Sequence, residues 1–124
     1  MAKRRPDPGD IGSYLPLPAS AMHIIVALAG AEKHGYAIMR DIDELSGGAV
    51  SMGPGTLYGS IKRMIEQGLV EEVDERPDPA LDDQRRRYYR LTILGHQVGA
   101  AEQARLTALL DSARLRRLGI SGAT

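Results

Sequence analysis

The sequence predicts a mainly α-helical fold with a small β-sheet and a long helix near its C-terminal end. Three apolar segments with helical periodicity follow one another between residues 19 and 68, and two short segments typical of strands come directly after them. The 124 residues include no Phe, Trp or Cys, so the core has to be built mainly from aliphatic side chains and Met, which suits packed helices. This length fits a single domain.

The first predicted helix runs from Ala19 to Ala29, with Ser20 as its cap. Its apolar residues fall all around the helix axis, Met22 and Ile25 among them. A helix that is apolar on every side is buried on every side, and in so small a domain one side is expected to face a second subunit. Residues 1–17 are rich in proline and lack periodicity, so they are expected to form a flexible or loosely docked arm.

The second predicted helix spans Tyr36 to Leu45 and has its inward stripe at helical spacing. The stripe consists of Ile38, Ile42 and Leu45. The Ser-Gly-Gly run at 46–48 is expected to end the helix, since glycine adopts the left-handed conformation common after a helix.

The third predicted helix begins at Gly53-Pro54 and ends at Gly68. At 100° per residue, four apolar residues fall in one sector and are expected to form the core face: Leu57, Ile61, Met64 and Ile65. The opposite face is small, polar and mostly basic, with Tyr58 at its border, and it consists of Thr56, Gly59, Lys62, Arg63 and Glu66. Such a face suits the major groove of DNA.

Two strands are predicted next, from Leu69 to Glu75 and from Arg86 to Leu91, joined by a loop too long for a tight hairpin. A final helix should begin after Thr92, its expected N-cap, and continue to about Leu118. Its apolar band is longer than a compact three-helix domain can cover, which predicts a partner subunit. The residues expected at that dimer interface are Met22, Ile25, Leu94, Val98, Ala101, Leu106, Leu109, Leu110 and Ala113.

The charges are unevenly distributed, although the formal net charge is zero. Seven of the sixteen acidic residues and one of the sixteen basic residues fall between Glu71 and Asp83, which leaves the rest of the chain net basic. DNA-binding domains are usually basic because phosphate neutralisation carries much of their affinity. The acidic loop between the strands is therefore expected to bend away from DNA.

Other classes of site find little support in the sequence. His23, His34 and His96 lack the spacing of metal ligands, no Ser is paired with an evident base, and no glycine-rich run joins a strand to a helix. We therefore expect no metal site, no cofactor and no enzymatic activity. The longest apolar stretch, from Met22 to Ala31, is too short to span a membrane, and a cytoplasmic location is expected.

Several motifs together closely resemble the PadR family of transcriptional regulators. They cover residues 23–95 in the order and spacing of that family, namely His34-Gly35-Tyr36, Pro54-Gly55-Thr56-Leu57-Tyr58, Gly68-Leu69, and Arg87-Tyr88-Tyr89-Arg90-Leu91-Thr92 with Gly95. The short tail after Gly95 is similar to the branch with a single C-terminal helix. The resemblance implies a winged helix-turn-helix homodimer that represses transcription and, with a suitable small-molecule effector, releases double-stranded DNA.

The residue patterns and the resemblance together predict a division of the chain and a set of DNA contacts. The flexible arm would comprise residues 1–17, the winged helix-turn-helix domain 18–91, the dimerisation helix 92–118 and the tail 119–124. The recognition helix corresponds to Pro54–Gln67 and the wing to about Glu71–Leu91. The residues expected to contact DNA are Tyr36, Thr56, Tyr58, Gly59, Lys62, Arg63, Arg85 and Arg86.

Simpler interpretations remain open for these residues. Lys62 and Glu66 can form an ion pair on a solvated helix face, and tyrosines such as Tyr36 and Tyr58 often border a core without a binding role. Gly59 stands where relatives often carry a larger side chain, so a base contact at that position is in doubt. The alternative function is a ligand-binding or protein-interaction module that keeps the winged fold without specific DNA binding.

Overall fold

The computed structural model describes residues 5–73 and 87–118, and its order of elements follows the sequence prediction. The mainly helical fold with a small sheet is confirmed. A short 3-10 turn precedes α1, and one strand stands before α2. The elements are the 3-10 turn Ile11–Tyr14, α1 Ala19–Leu28, β1 Lys33–His34, α2 Gly35–Leu45, α3 Pro54–Glu66, β2 Val70–Val73, β3 Tyr88–Leu91 and α4 Ile93–Leu115.

The sheet has three antiparallel strands in the order β1-β3-β2. Strand β2 pairs with β3 from Val70 opposite Leu91 to Val73 opposite Tyr88, and Lys33 of β1 lies opposite Tyr89. The sequence analysis missed β1, because a strand of two residues is too short to show any alternation. The connection between β2 and β3 lies outside the described residues.

The core is aliphatic and lies between the three helices and the sheet. Buried side chains come from every helix of the trio, including Ile24 and Leu28, Ile38 and Ile42, and Leu57, Ile61 and Met64. Two residues predicted for the core are instead exposed: Leu45 by 58% and Ile65 by 38%. Leu45 is the last residue of α2, and Ile65 stands at the edge of its apolar sector, facing a cleft between α3 and the sheet.

The helix ends are capped in part as predicted. Thr92 caps α4, because its hydroxyl accepts a hydrogen bond from the Gly95 amide at 2.9 Å. Ser20 was expected to cap α1 but lies inside the helix, and Pro18 occupies the cap position without a side-chain hydrogen bond. At α2 the cap is His34, whose Nδ1 accepts from the Ala37 amide at 3.2 Å. Glycines at 47 and 48 adopt positive φ angles and end that helix as expected.

Residues 11–17 pack against the domain, so this part of the arm is docked rather than flexible. The Tyr14 ring is buried, and its hydroxyl donates to the Gln67 carbonyl oxygen at 3.2 Å. The Leu17 amide donates to Glu102 Oε2 of α4 at 2.8 Å. The segment therefore connects the end of α3 with α4, a role that its proline content concealed.

Glu102 is the acceptor in this connection and is only 1% exposed. Arg105, one turn further along α4, donates from Nε to Oε1 at 2.5 Å and from Nη2 to Oε2 at 3.1 Å. The hydrogen bonds from Arg105 hold the pKa of Glu102 below its ordinary value, burial opposes them, and the Leu17 amide lowers the pKa further. The sequence analysis missed this carboxylate because acidic residues are rarely buried without a partner.

Helix α4 approaches the rest of the domain closely at two glycines. A Cβ atom at Gly95 would stand 2.0 Å from the Leu69 carbonyl oxygen, and one at Gly99 would stand 2.7 Å from Cγ2 of Ile25 in α1. Both positions therefore lack the room for a side chain. The close approach that these glycines permit is to the chain's own α1 and to the turn before β2.

We predict that the Glu102 connection stabilises the fold in a pH-dependent way. Replacing Glu102 by Leu leaves the Leu17 amide without its acceptor and should cost about 1–3 kcal/mol in the free energy of unfolding. Glu102→Gln keeps an acceptor but loses the charge, so its cost should be smaller. Urea denaturation monitored by circular dichroism measures both.

The sign of the pH effect follows from the lowered pKa. Because the carboxylate is favoured in the folded state, its contribution is present above the ordinary glutamate pKa of about 4.3 and is lost as pH falls through the folded-state pKa. The stability difference between the wild-type chain and Glu102→Gln should therefore shrink between pH 7 and acidic pH. A difference that stays constant with pH would show that the charge contributes nothing.

Candidate nucleic-acid interface

Helix α3 presents an apolar face to the core and a polar face to solvent. Pro54 occupies its first turn, where the missing amide hydrogen costs no helix bond. Leu57, Ile61 and Met64 are buried, which fixes the helix about its long axis. The outward face then carries exposed Thr56 and Lys62, half-exposed Gly59, and exposed Arg63 and Glu66. The structure thus brings together five of the residues expected to lie on this face.

Tyr58 turns inward at the border of this face. An ideal Cβ atom placed on Gly35 would stand 2.2 Å from Tyr58 Oη and 2.6 Å from Cζ, so the ring end lies directly on the backbone at the start of α2. The hydroxyl oxygen is buried. The structure therefore does not support the expected contact between this hydroxyl and a DNA phosphate. Gly35 was missed as its partner, although the sequence places a glycine at the start of α2 and a tyrosine on α3.

Arg63 lies back along the helix towards its N-terminus. Its Nη2 donates to Ser60 Oγ at 3.3 Å, and the Ser60 hydroxyl donates to Ser20 Oγ of α1 at 3.3 Å. The Nη1 atom stands 3.8 Å from the place that a Cβ atom would take on Gly59. Sequence reasoning missed both serines; the three-residue spacing of Ser60 and Arg63, which places them on adjacent turns of one helix, was the available signal.

A cleft of about 350 Å³ separates α3 from the sheet. Tyr58, Ile61, Ile65 and Tyr89 supply its apolar lining, while Lys62, Glu66, Glu72 and Arg87 supply its charges. Within residues 5–73 and 87–118, Lys62 forms no ion pair, so the expected alternative of a Lys62–Glu66 pair is not observed. The Lys62 ammonium is exposed beside the strands.

Ion pairs on the sheet neutralise the first acids of the acidic segment. Arg90 contacts Glu71 at 2.6 Å and Glu32 at 3.1 Å, and Arg87 Nε stands 3.6 Å from Glu72 Oε1. The remaining acids of the segment and the expected DNA contacts Arg85 and Arg86 lie outside the described residues.

The two tyrosines of β3 face opposite sides, as strand alternation predicts. Tyr89 is buried, and burial, reinforced by the nearby Glu72 and Tyr58, raises its pKa to about 12 although Arg87 opposes the shift. Tyr88 stacks edge-on against His34, with ring centroids 5.5 Å apart. Tyr36 of α2 is 37% exposed, so its side chain is accessible on the surface.

The residues expected at the dimer interface divide into two groups. Ile25 and Val98 are buried inside a single protomer, where α1 packs on α4, and this corrects their assignment to an intersubunit surface. Leu109 and Leu110 are 58% and 64% exposed. The others are partly exposed: Met22, Leu94, Ala101, Leu106 and Ala113. Every buried residue of α4 lies at or before Glu102, so the second half of this helix holds no buried residue in the described structure.

Two features are absent from residues 5–73 and 87–118. No group of three His, Asp or Glu side chains there is placed to hold a metal ion. No helix there is both long and apolar enough to cross a membrane.

Three helices followed by a small sheet, with an exposed third helix beside it, define a winged helix-turn-helix protein. The model of the transcriptional regulator PadR-like family matches residues 24–101. The chain therefore belongs to the PadR-like family of transcriptional regulators, which confirms the resemblance read from the sequence. A relative, an uncharacterized 37.1 kDa protein in transposon TN4556 of Streptomyces fradiae, is 40% identical over 55 residues, which are 44% of this chain and 15% of that protein.

Solved structures share the fold. A PadR family transcription regulator from Clostridium difficile R20291 has a TM-score of 0.65 at 19% identity, over 79% of this chain and 97% of that one. RosR from H. salinarum has a TM-score of 0.59 at 27% identity, over 80% of this chain and 79% of that one. Bacillus subtilis PadR, solved in complex with operator DNA, has a TM-score of 0.59 at 20% identity, over 79% of this chain and 61% of that one.

We predict that the contact between Tyr58 and Gly35 tolerates no added atom. Gly35→Ala should lower the free energy of unfolding by about 1–3 kcal/mol, because the new methyl group overlaps a buried ring. Gly55→Ala is the matched control, since a Cβ atom there meets nothing within 4 Å and a helical alanine is favoured by up to about 1 kcal/mol. Thermal and urea unfolding compare the two variants. Equal stability of both would contradict the packing described.

Proposed function

We propose that this chain is a homodimeric transcriptional repressor that binds a pseudo-palindromic DNA operator through α3. The observation that carries the proposal is the outward face of α3, where exposed Lys62 and Arg63 stand beside small, uncharged Thr56 and Gly59. Small residues let a helix approach the floor of the major groove, while the cations meet phosphates or base edges. The structure of Bacillus subtilis PadR in complex with operator DNA supports this use of the fold.

The second half of α4 supports the proposed dimer. With 23 residues the helix is about 34 Å long, yet only its first half is covered by its own chain. Exposed Leu109 and Leu110, with half-buried Leu106 and Ala113, form an apolar surface that a second copy would cover. In a symmetric dimer the two α3 helices would enter successive major grooves, about 34–36 Å apart.

The proposal includes a small-molecule effector that changes the affinity of the dimer for DNA. A ligand that binds one dimer geometry better than another shifts the spacing of the two α3 helices and thereby the affinity for DNA. A cytoplasmic location is proposed with the same function, because the operator lies there.

We predict sequence-preferring, salt-dependent DNA binding. Fluorescence anisotropy of the full chain with labelled DNA from upstream of its own gene should show a preference of about a thousandfold over scrambled DNA, and affinity should fall as salt rises. Lys62→Ala should weaken binding to both DNAs alike. It should also reduce the slope of log K, the logarithm of the association constant, against log salt concentration by about one, as expected for the loss of one phosphate contact. Arg114→Ala, which removes a cation from the last turn of α4, is the control and should leave the slope unchanged.

Equal and weak binding to both DNAs at every salt concentration would sink the repressor proposal. That result would favour the alternative, an interaction module that has kept the fold, and the next experiment would then be a search for its protein partner.

We also predict that an acidic side chain in the second half of α4 separates the subunits. Leu110→Asp should convert the dimer to a monomer in sedimentation velocity, because it places a charge within an apolar interface. Ile93→Asp is the control. Ile93 is also an exposed aliphatic residue, but it lies in the first turn of α4, outside the proposed interface. A wild-type monomer would refute the dimer, and a dimer that survives Leu110→Asp would place the interface elsewhere.

A further inference from the structure

Gly59 leaves an open place in the middle of the α3 face, and the side chain that reaches this place is Arg63. One turn separates the two residues, and Nη1 of Arg63 lies 3.8 Å from the position of the missing Cβ atom. A larger residue at position 59 would extend its side chain into the same region. The absence of a side chain at Gly59 therefore leaves room for the guanidinium group between Gly59 and Ser60.

Ser60 determines where this guanidinium group rests. The Ser60 side chain is 3% exposed and donates its single hydroxyl hydrogen to Ser20 of α1, which leaves its oxygen free to accept from Nη2 of Arg63. Because Ser60 is buried and is hydrogen-bonded to Ser20 of α1, the packing of α1 on α3 fixes the position of this anchor. A long, exposed side chain with one fixed hydrogen bond loses less conformational freedom on binding than an unanchored one.

We propose that Arg63, positioned by Ser60 and accommodated by Gly59, selects a guanine in the DNA site. This inference rests on the proposed function. A guanidinium group has five N–H donors and Ser60 takes one, so a parallel pair remains for O6 and N7 of a guanine in the major groove. Lys62, the neighbouring cation, has no such anchor among the described residues, and its flexible ammonium is suited to phosphate contact.

The test is selection of preferred sites from a randomised duplex library by the full-length protein, followed by affinity measurements on probes in which each selected G·C pair is replaced. The wild-type chain should lose at least about tenfold in affinity when one G·C pair of each half-site is changed. Arg63→Ala should lose this discrimination at that pair alone. The control, Lys62→Ala, should keep the same selected sequence while binding every probe more weakly.

Variants at positions 59 and 60 separate positioning from contact. Ser60→Ala should reduce the discrimination at the same base pair, because the guanidinium loses its anchor, without moving the preference at other pairs. Gly59→Ala should retain the preference, since a Cβ at 3.8 Å is an ordinary contact. Gly59→Leu should abolish the preference at that base pair, because its longer side chain competes for the same place. Circular dichroism and thermal unfolding confirm that each variant is folded.

The outcomes are distinguishable. If the wild-type chain selects a sequence and Arg63→Ala selects the same one with undiminished discrimination, the inference is overturned while the proposed function stands. If Arg63→Ala loses discrimination but Ser60→Ala keeps it, the positioning role of Ser60 is overturned. A wild-type chain that selects no sequence at all overturns the proposed function and this inference with it.

Discussion

The orientation of α3 depends on the contact between the Tyr58 ring and the backbone of Gly35. Buried Leu57, Ile61 and Met64 hold one side of the helix in the core, but aliphatic side chains tolerate small rotations. The ring end of Tyr58, packed directly against α2, removes that freedom because it leaves no room even for a methyl group. The direction in which Thr56, Gly59 and Lys62 point therefore follows from a glycine at the start of the preceding helix.

The N-terminal segment connects α3, whose orientation is fixed in this way, with α4. Tyr14 reaches the carbonyl at the end of α3, and Leu17 reaches the buried carboxylate of Glu102, so one short segment contacts both helices. Gly99 brings α4 against α1 on the other side. Under the proposed function these contacts connect the dimer surface with the DNA-contacting face.

The sequence was informative where a pattern repeats and uninformative where two distant residues meet. Helical periodicity predicted α1, α2 and α3 within about two residues, and the motifs predicted the family. Pairs such as Glu102 with Leu17, or Ser60 with Ser20, join residues far apart in the chain, and no local pattern marks them. The errors at Leu45 and Ile65 have the same origin, because periodicity identifies a face but not how far the neighbouring elements cover it.

The balance of charge limits how DNA can be recognised under the proposed function. On the sheet, Arg87 pairs with Glu72 and Arg90 pairs with Glu71, whereas Lys62 and Arg63 are exposed cations of α3. Each phosphate contact adds affinity through counterion release, but this affinity is the same for every DNA sequence. Discrimination then depends on contacts with base edges and on the use of two copies together. An anchored arginine and an apolar dimerisation surface on one neutral chain are consistent with that requirement.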